Sequence, residues 1–274
     1  MTQFPRIGFI GAGNMASALV GGLLAKGWPT TALMLTDVSE AALSVHAARG
    51  LSTGTDNAAL VANVDIVVLA VKPQAMKAVT QALATTAQQA KPLFISIAAG
   101  IPAESLSQWL GGDAAIVRAM PNTPALVQAG ATGLYANAAV SHEQREQAEQ
   151  VLAAVGIALW VDTEAKIDAV TAVSGSGPAY FFYLMEAMIN AGVKLGLDPQ
   201  DARDLALQTA LGAAQIAITA DVGPAELRRR VTSPNGTTEQ AVAVFDRAGL
   251  ADIVEQAMRA CAERGESLAI ELSH

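Results

Sequence analysis

The feature that most restricts this chain is the opening segment Arg6-Ile7-Gly8-Phe9-Ile10-Gly11-Ala12-Gly13-Asn14-Met15-Ala16. A short apolar run is followed at once by Gly-x-Gly-x-x-Ala and then by a helix-like stretch, Asn14–Lys26. That order, strand then glycine turn then helix, gives the G-x-G-x-x-G/A pattern its meaning as a dinucleotide fingerprint. Gly11 allows the tight bend, Gly13 lets the backbone approach a pyrophosphate, and Ala16 lets helix and strand pack closely. The helix start offers free amides and the positive end of its dipole. Residues 7–25 carry no charge and follow Arg6, so a signal peptide or spanning helix is the competing reading. Glycines at turn positions and Asn14 near the middle favour strand, bend and helix.

Downstream the strand and helix signals alternate. Strands are predicted at Arg6–Ile10, Ala32–Thr36, Asp65–Val71, Leu93–Ala98, Ala115–Met120, Thr132–Ala136 and Ala158–Val161. Helices are predicted at Asn14–Lys26, Glu40–Arg49, Asn57–Ala62, Gln74–Thr85, Ala103–Leu110 and Glu143–Val155. Strands such as IVVLAV are apolar throughout, as strands covered on both faces should be. After about Thr163 only helices remain, many of them opened by proline: Pro178–Leu195, Pro199–Ala220, Pro224–Arg230, Thr237–Ala248 and Leu250–Ile270. The expected fold class is α/β: an N-terminal Rossmann, doubly wound parallel sheet over residues 1–162, then an all-α dimerisation and substrate-binding domain over 163–274. Segments such as AYFFYLMEAMINAG are apolar around much of their circumference and call for burial on more than one side.

Composition narrows the function. With 52% hydrophobic and 15% charged residues in 274, there is material for a core and a subunit interface. A net charge of -8 argues against nucleic acid or an anionic membrane as partner. Cys261 is the single cysteine, and His46, His142 and His274 have no ligand spacing, so no metal and no intrachain disulfide are expected. A cytoplasmic location fits both.

Asp37 ends the second predicted strand, where a carboxylate receives adenosine ribose hydroxyls. It leans toward NADH, although Ser39 and a loop adjustment could admit NADPH. Lys72, in Val71-Lys72-Pro73, falls at the carboxyl edge of the sheet, where it could balance cofactor charge or simply be a surface lysine. Asn57 and Met120–Pro124 read equally as cofactor-facing turns or as plain turn formers. Val173–Tyr180 and Ser233–Thr238 both read as helix N-termini, able either to hold an anion or only to cap.

GFIGAGNMA, AVKPQ, SIAAG, RAMPNTPA, AVSGSGPAY and SPNGTT occur together in the order that resembles the pyrroline-5-carboxylate reductase family, across nearly the whole chain. The resemblance implies NADPH or NADH as cofactor, 1-pyrroline-5-carboxylate as substrate, L-proline as product, and a homodimer assembling into a decamer. By the same analogy Ile10, Gly11, Ala12, Gly13, Asn14, Met15, Asn57, Ala70, Val71, Lys72 and Pro73 contact the cofactor, with Ala98 near the nicotinamide. Ser233, Gly236, Thr237 and Thr238 form the substrate loop, with Thr238 on the ring nitrogen as the catalytic position. Glu164 and Arg230 fall near the ligands. Asn235 stands where the family usually has glycine, a position that asparagine can also fill in left-handed backbone. A β-hydroxyacid dehydrogenase would carry a lysine where this chain has Phe181. A dinucleotide-sensing regulator would need a basic surface, for which Arg228–Arg230 is the one candidate run.

Overall fold

The computed structural model describes residues 4–273. Its strands are β1 (Ile7–Ile10), β2 (Leu33–Thr36), β3 (Ser52–Gly54), β4 (Ile66–Leu69), β5 (Leu93–Ser96), β6 (Ile116–Met120), β7 (Gly130–Ala136) and β8 (Gly156–Trp160). Between them run α1 (Asn14–Ala25), α2 (Glu40–Ala47), α3 (Asn57–Val61), α4 (Pro73–Ala90), α5 (Ala103–Trp109) and α6 (His142–Ala153). After β8 come α7 (Lys166–Val170), α8 (Gly177–Lys194), α9 (Pro199–Thr219), α10 (Pro224–Arg230), α11 (Thr237–Arg247) and α12 (Leu250–Ser273).

The eight strands form one sheet in the order β3-β2-β1-β4-β5-β6-β7-β8. The first six are parallel, with Ile7 opposite Leu33 on one side and Ile66 on the other. The period of two along each strand splits the apolar side chains between two cores. Ile7, Phe9, Ile66 and Val68 join one, and Ile10, Val67, Leu69 and Phe94 join the other. The residues once open to a membrane reading are therefore β1, a turn and α1, and among the described residues no helix is long and apolar enough to cross a membrane.

Two features of the sheet depart from the sequence expectation. β7 runs antiparallel to β6, so the sheet is mixed. The link from Pro121 to Ala129 holds only a 3-10 turn and is too short for the crossover a parallel partner needs. β3 was not expected, because Ser-Thr-Gly has no apolar run; it exists because Met34–Thr36 pair with it.

Local signals fix the helix ends. α4 opens on Pro73 and closes at Lys91 in the left-handed region (φ 49). α6 carries a capping box between Ser141 and Gln144. By compactness the chain divides into one unit reaching Ser176 and resuming at Ala260, and a second from Gly177 to Arg259. That division falls later than the 162/163 boundary expected from the end of the strands, because α7 packs on β7 and the last turns of α12 return to the first unit.

The helical unit has little core of its own. Gly177, Ala202 and Ala206 are buried, and α8 and α9 approach where Gly192 meets Ala202. Phe181, Phe182, Tyr183, Leu205, Ile216 and Ile218 are exposed.

Candidate active site

In the first unit the strand order reverses at β1, between β2 and β4, and ligands of such sheets bind at the carboxyl ends of the strands there. Gly11 turns the chain with φ +103, and its amide donates to the Thr36 carbonyl at 2.8 Å. A Cβ at Gly11 would stand 2.6 Å from the Ala70 carbonyl oxygen, so the bend admits only glycine. Gly13 is the opposite case: it caps α1 with no side-chain hydrogen bond, and a Cβ there would meet nothing within 4 Å. The loop is thus a bare cradle of backbone in front of an uncapped helix start, which fits a diphosphate.

A cavity of about 380 Å³ lies over this cradle. Of the positions expected to hold the cofactor, Ile10, Gly11, Gly13 and Asp37 line it from the β1 and β2 ends. Asn57, Ala70, Val71 and Lys72 line it from the β3 and β4 ends. Ala12, Asn14, Met15, Pro73 and Ala98 do not; Ala12 instead gives its amide to Asp37, and Pro73 begins α4 behind Lys72. Thr36, Val38, Thr55 and Val79 also line it. Sequence reading missed them because nothing in an exposed valine or a loop threonine announces a ligand.

Asp37 is held on both oxygens. The Ala12 amide donates to Oδ2 at 2.7 Å and the Ser39 amide to Oδ1 at 2.8 Å. Ser39 in turn caps α2 by accepting from the Ala42 amide. Behind the loop, His46 is buried, with Nε2 3.1 Å from Ser17 Oγ. Burial and the nearby Arg49 charge hold its pKa below the ordinary histidine value, and a bond with the Ala12 backbone partly offsets them. The sequence offered no sign of this support, since a lone histidine on a helix has no spacing signature.

Glu164 is committed within the same unit. Its Oε1 accepts from Arg118 Nη1 at 2.8 Å and from the Ala103 amide at 2.7 Å. The expectation that Glu164 faces a ligand is set against this: the oxygen serves an ion pair and the start of α5. Desolvation pushes the pKa of neighbouring Asp168 up; Arg118 opposes the rise, while Glu266 and Glu164 reinforce it. Asn122 is also structural, donating to the Ser174 carbonyl and accepting from the Ala131 amide.

The AVSGSGP segment does lead into a long helix, α8 from Gly177, but as helical backbone continuing from α7 rather than as a free cap. Residues Thr171–Gly175 form a π-type turn, and the Ser176 amide bonds the Thr171 carbonyl at 2.8 Å. Ser233–Thr238, in the helical unit, does match a helix start. Gly236 caps α11 without a side-chain bond, and Thr237 and Thr238 are its first two residues, both exposed. Asn235 adopts φ +56, and its amide donates to Glu239 Oε2 at 2.9 Å. Arg229 and Arg230 both pair with Glu226, so two of the three arginines of the basic run are tied into their own helix.

A reversing parallel sheet with a bare glycine cradle and an acidic β2 end, joined to a helical unit, defines a Rossmann-type dinucleotide-binding oxidoreductase. Residues 6–100 match the family model for NADP oxidoreductase, coenzyme F420-dependent, and residues 164–268 match the model for pyrroline-5-carboxylate reductase dimerisation. A pyrroline-5-carboxylate reductase of Pseudomonas aeruginosa is 58% identical over 269 residues, covering 98% of each chain. A solved pyrroline-5-carboxylate reductase of Coxiella burnetii is 42% identical with a TM-score of 0.94, covering 97% of this chain and 99% of its own. That of Plasmodium falciparum, solved with NADP bound, is 28% identical with a TM-score of 0.85, covering 97% and 98%. The chain belongs to the pyrroline-5-carboxylate reductase family.

Proposed function

We propose that this chain reduces 1-pyrroline-5-carboxylate to L-proline with a nicotinamide dinucleotide, as a cytoplasmic homodimer that assembles further into a decamer. The observation that carries the reading is the pairing, in one chain of this family, of a bare glycine cradle with the uncapped threonine-rich start of α11. The bound dinucleotide supplies a hydride to the ring carbon of the protonated imine. The protein's part is to hold and orient. The amides at Gly13 and the start of α1 receive the diphosphate, and Asp37 receives a ribose. In the helical unit, the amides at the start of α11 and the Thr237 hydroxyl receive the substrate carboxylate, while the Thr238 hydroxyl bonds the ring nitrogen and orients the imine. A protonated imine needs no strong acid beside it, which suits a loop built of threonines.

The exposed apolar rows of α8 and α9 support the dimer, since a monomer leaving them in water would forgo their burial. A lone cysteine suits a reducing compartment.

Steady-state oxidation of NADH and NADPH by the purified chain with 1-pyrroline-5-carboxylate tests the reading, with a 3-hydroxyacid and NAD⁺ as control. Turnover of the imine is the expected result, and activity confined to the hydroxyacid would overturn it. Thr238→Ala should lower kcat/KM by about tenfold or more; unchanged constants would remove Thr238 from the mechanism.

A further inference from the structure

We infer that His46, buried behind the glycine loop, positions the first turn of α1 through Ser17 and takes up a proton when a dinucleotide diphosphate binds in front of that turn. The inference rests on the reading of the cradle as the diphosphate site and adds to it a residue that never touches the ligand.

His46 is 1% exposed, and its side-chain partner is Ser17, whose Oγ lies 3.1 Å from Nε2. The Ser17 amide closes the first turn of α1 on the Gly13 carbonyl at 2.9 Å, so the ring braces the turn that the cradle opens. On the other side of the cradle, the Ala12 backbone favours the charged ring, the effect of a carbonyl oxygen rather than of an amide. Nδ1 is buried and makes no hydrogen bond. A neutral imidazole has one donor and one acceptor nitrogen, so in either tautomer the ring keeps a buried polar atom unmet. The ring is thus held at both ends of the glycine loop without being satisfied there.

The charges around the ring are few. α1, β1, β2 and β3 carry no titratable side chain. On its own helix Glu40 lies about 9 Å back along the axis, and Arg49, just past the end of α2, opposes a proton on the ring. Asp37, in the loop after β2, holds the Ala12 amide with one oxygen and the Ser39 amide with the other. Burial, Arg49 and the positive end of α1 therefore keep the ring neutral in the free protein. A bound diphosphate changes that balance, because it is ionised on each phosphate. Ser17 is one turn into α1, so the ring stands about 6 to 10 Å from an anion seated at Gly13. Through protein rather than water, negative charge at that distance favours the protonated ring by about tenfold or more. The bound pKa then lies above the free one, so binding takes up a proton between the two, and affinity rises as pH falls through that window.

The test is calorimetric titration of the purified full chain with NAD⁺ and with NADP⁺, at about pH 6 in buffers of different ionisation enthalpy, with Kd followed from about pH 8 to about 5.5. NAD⁺ has no group that titrates in this range, so protons taken up with it go to the protein. A measurable fraction of a proton should be taken up, and Kd should fall by about threefold or more as the pH is lowered. His46→Gln, with circular dichroism reporting whether it is folded, should take up none with NAD⁺ and lose the fall in Kd; His46→Asn serves in its place if the glutamine variant does not fold. NAD⁺ binding to the wild type without proton uptake overturns the inference whatever the variants do, as does a folded His46 variant whose uptake equals the wild type's. Gly13→Ala separates the two failures. Binding that Gly13→Ala weakens but that takes up no proton sinks the role of His46 and leaves the cradle standing. Binding indifferent to Gly13→Ala sinks the reading of the cradle and takes the inference with it.

Discussion

Arg118 Nη1 and Glu164 Oε1 stand 2.8 Å apart, with the arginine side chain 7% exposed and the glutamate 28%. The same glutamate oxygen holds the first amide of α5. Removing one partner of a buried pair leaves the other charged and dry. Glu164→Ala should therefore destabilise the fold by about 3 kcal/mol, read by urea unfolding at fixed protomer concentration. Glu164→Gln keeps an acceptor and should recover part of the loss. A rise in KM for the imine with unchanged stability would instead place Glu164 at the substrate.

Gly11 and Gly13 should fail differently when made alanine. At Gly11 both the positive φ and the Ala70 carbonyl oppose a methyl group, so Gly11→Ala should lower the melting temperature as well as cofactor affinity. At Gly13 the backbone is ordinary and the space open, so Gly13→Ala should melt like the wild type yet bind dinucleotide about tenfold or more weakly. Equal dinucleotide affinity in Gly13→Ala and wild type would mean that the cradle is not the diphosphate site.

His46 gives stability a pH dependence of known sign. Burial lowers its folded pKa, so the unfolded chain binds more protons just below the ordinary histidine value of about 6.5. Its contribution is whole above that value and is lost as pH falls through it toward the lowered folded pKa. Across roughly pH 7 to 5, wild-type melting temperature should fall more steeply than that of His46→Gln, which cannot titrate. Parallel curves would show that another group sets the slope.

The helical unit should depend on a second copy. Phe181 on α8 is 63% exposed and Ile218 on α9 83%, too much apolar surface for a free helical pair. Phe181→Asp should yield a monomer by sedimentation equilibrium at concentrations where the wild type is dimeric, with loss of imine turnover. A variant that remains dimeric would move the interface elsewhere.

Much of the site could be read from local pattern. The bend at Gly11 needs a residue free of Cβ, the helix start needs no cap, and both demands are written in consecutive residues. The same holds for the start of α11, announced by Ser-Pro-Asn-Gly-Thr-Thr. Asp37 could be placed at the end of β2, but its two amide partners could not.

The sequence by itself determined the alternation of strand and helix, the glycine cradle, the threonine loop and the apolar circumference of the later helices, because each depends on backbone conformation or apolar periodicity within a few residues. Only the tertiary structure decided that β3 forms, that β7 turns antiparallel, that Glu164 serves Arg118 and α5, and that Asp37 is locked to Ala12. Except for β7, whose direction follows from the short link before it, each of those depends on which polar group, distant in sequence, becomes the neighbour of another. A hydrogen bond between residues 25 or 61 positions apart leaves no period along the chain for a reader to find.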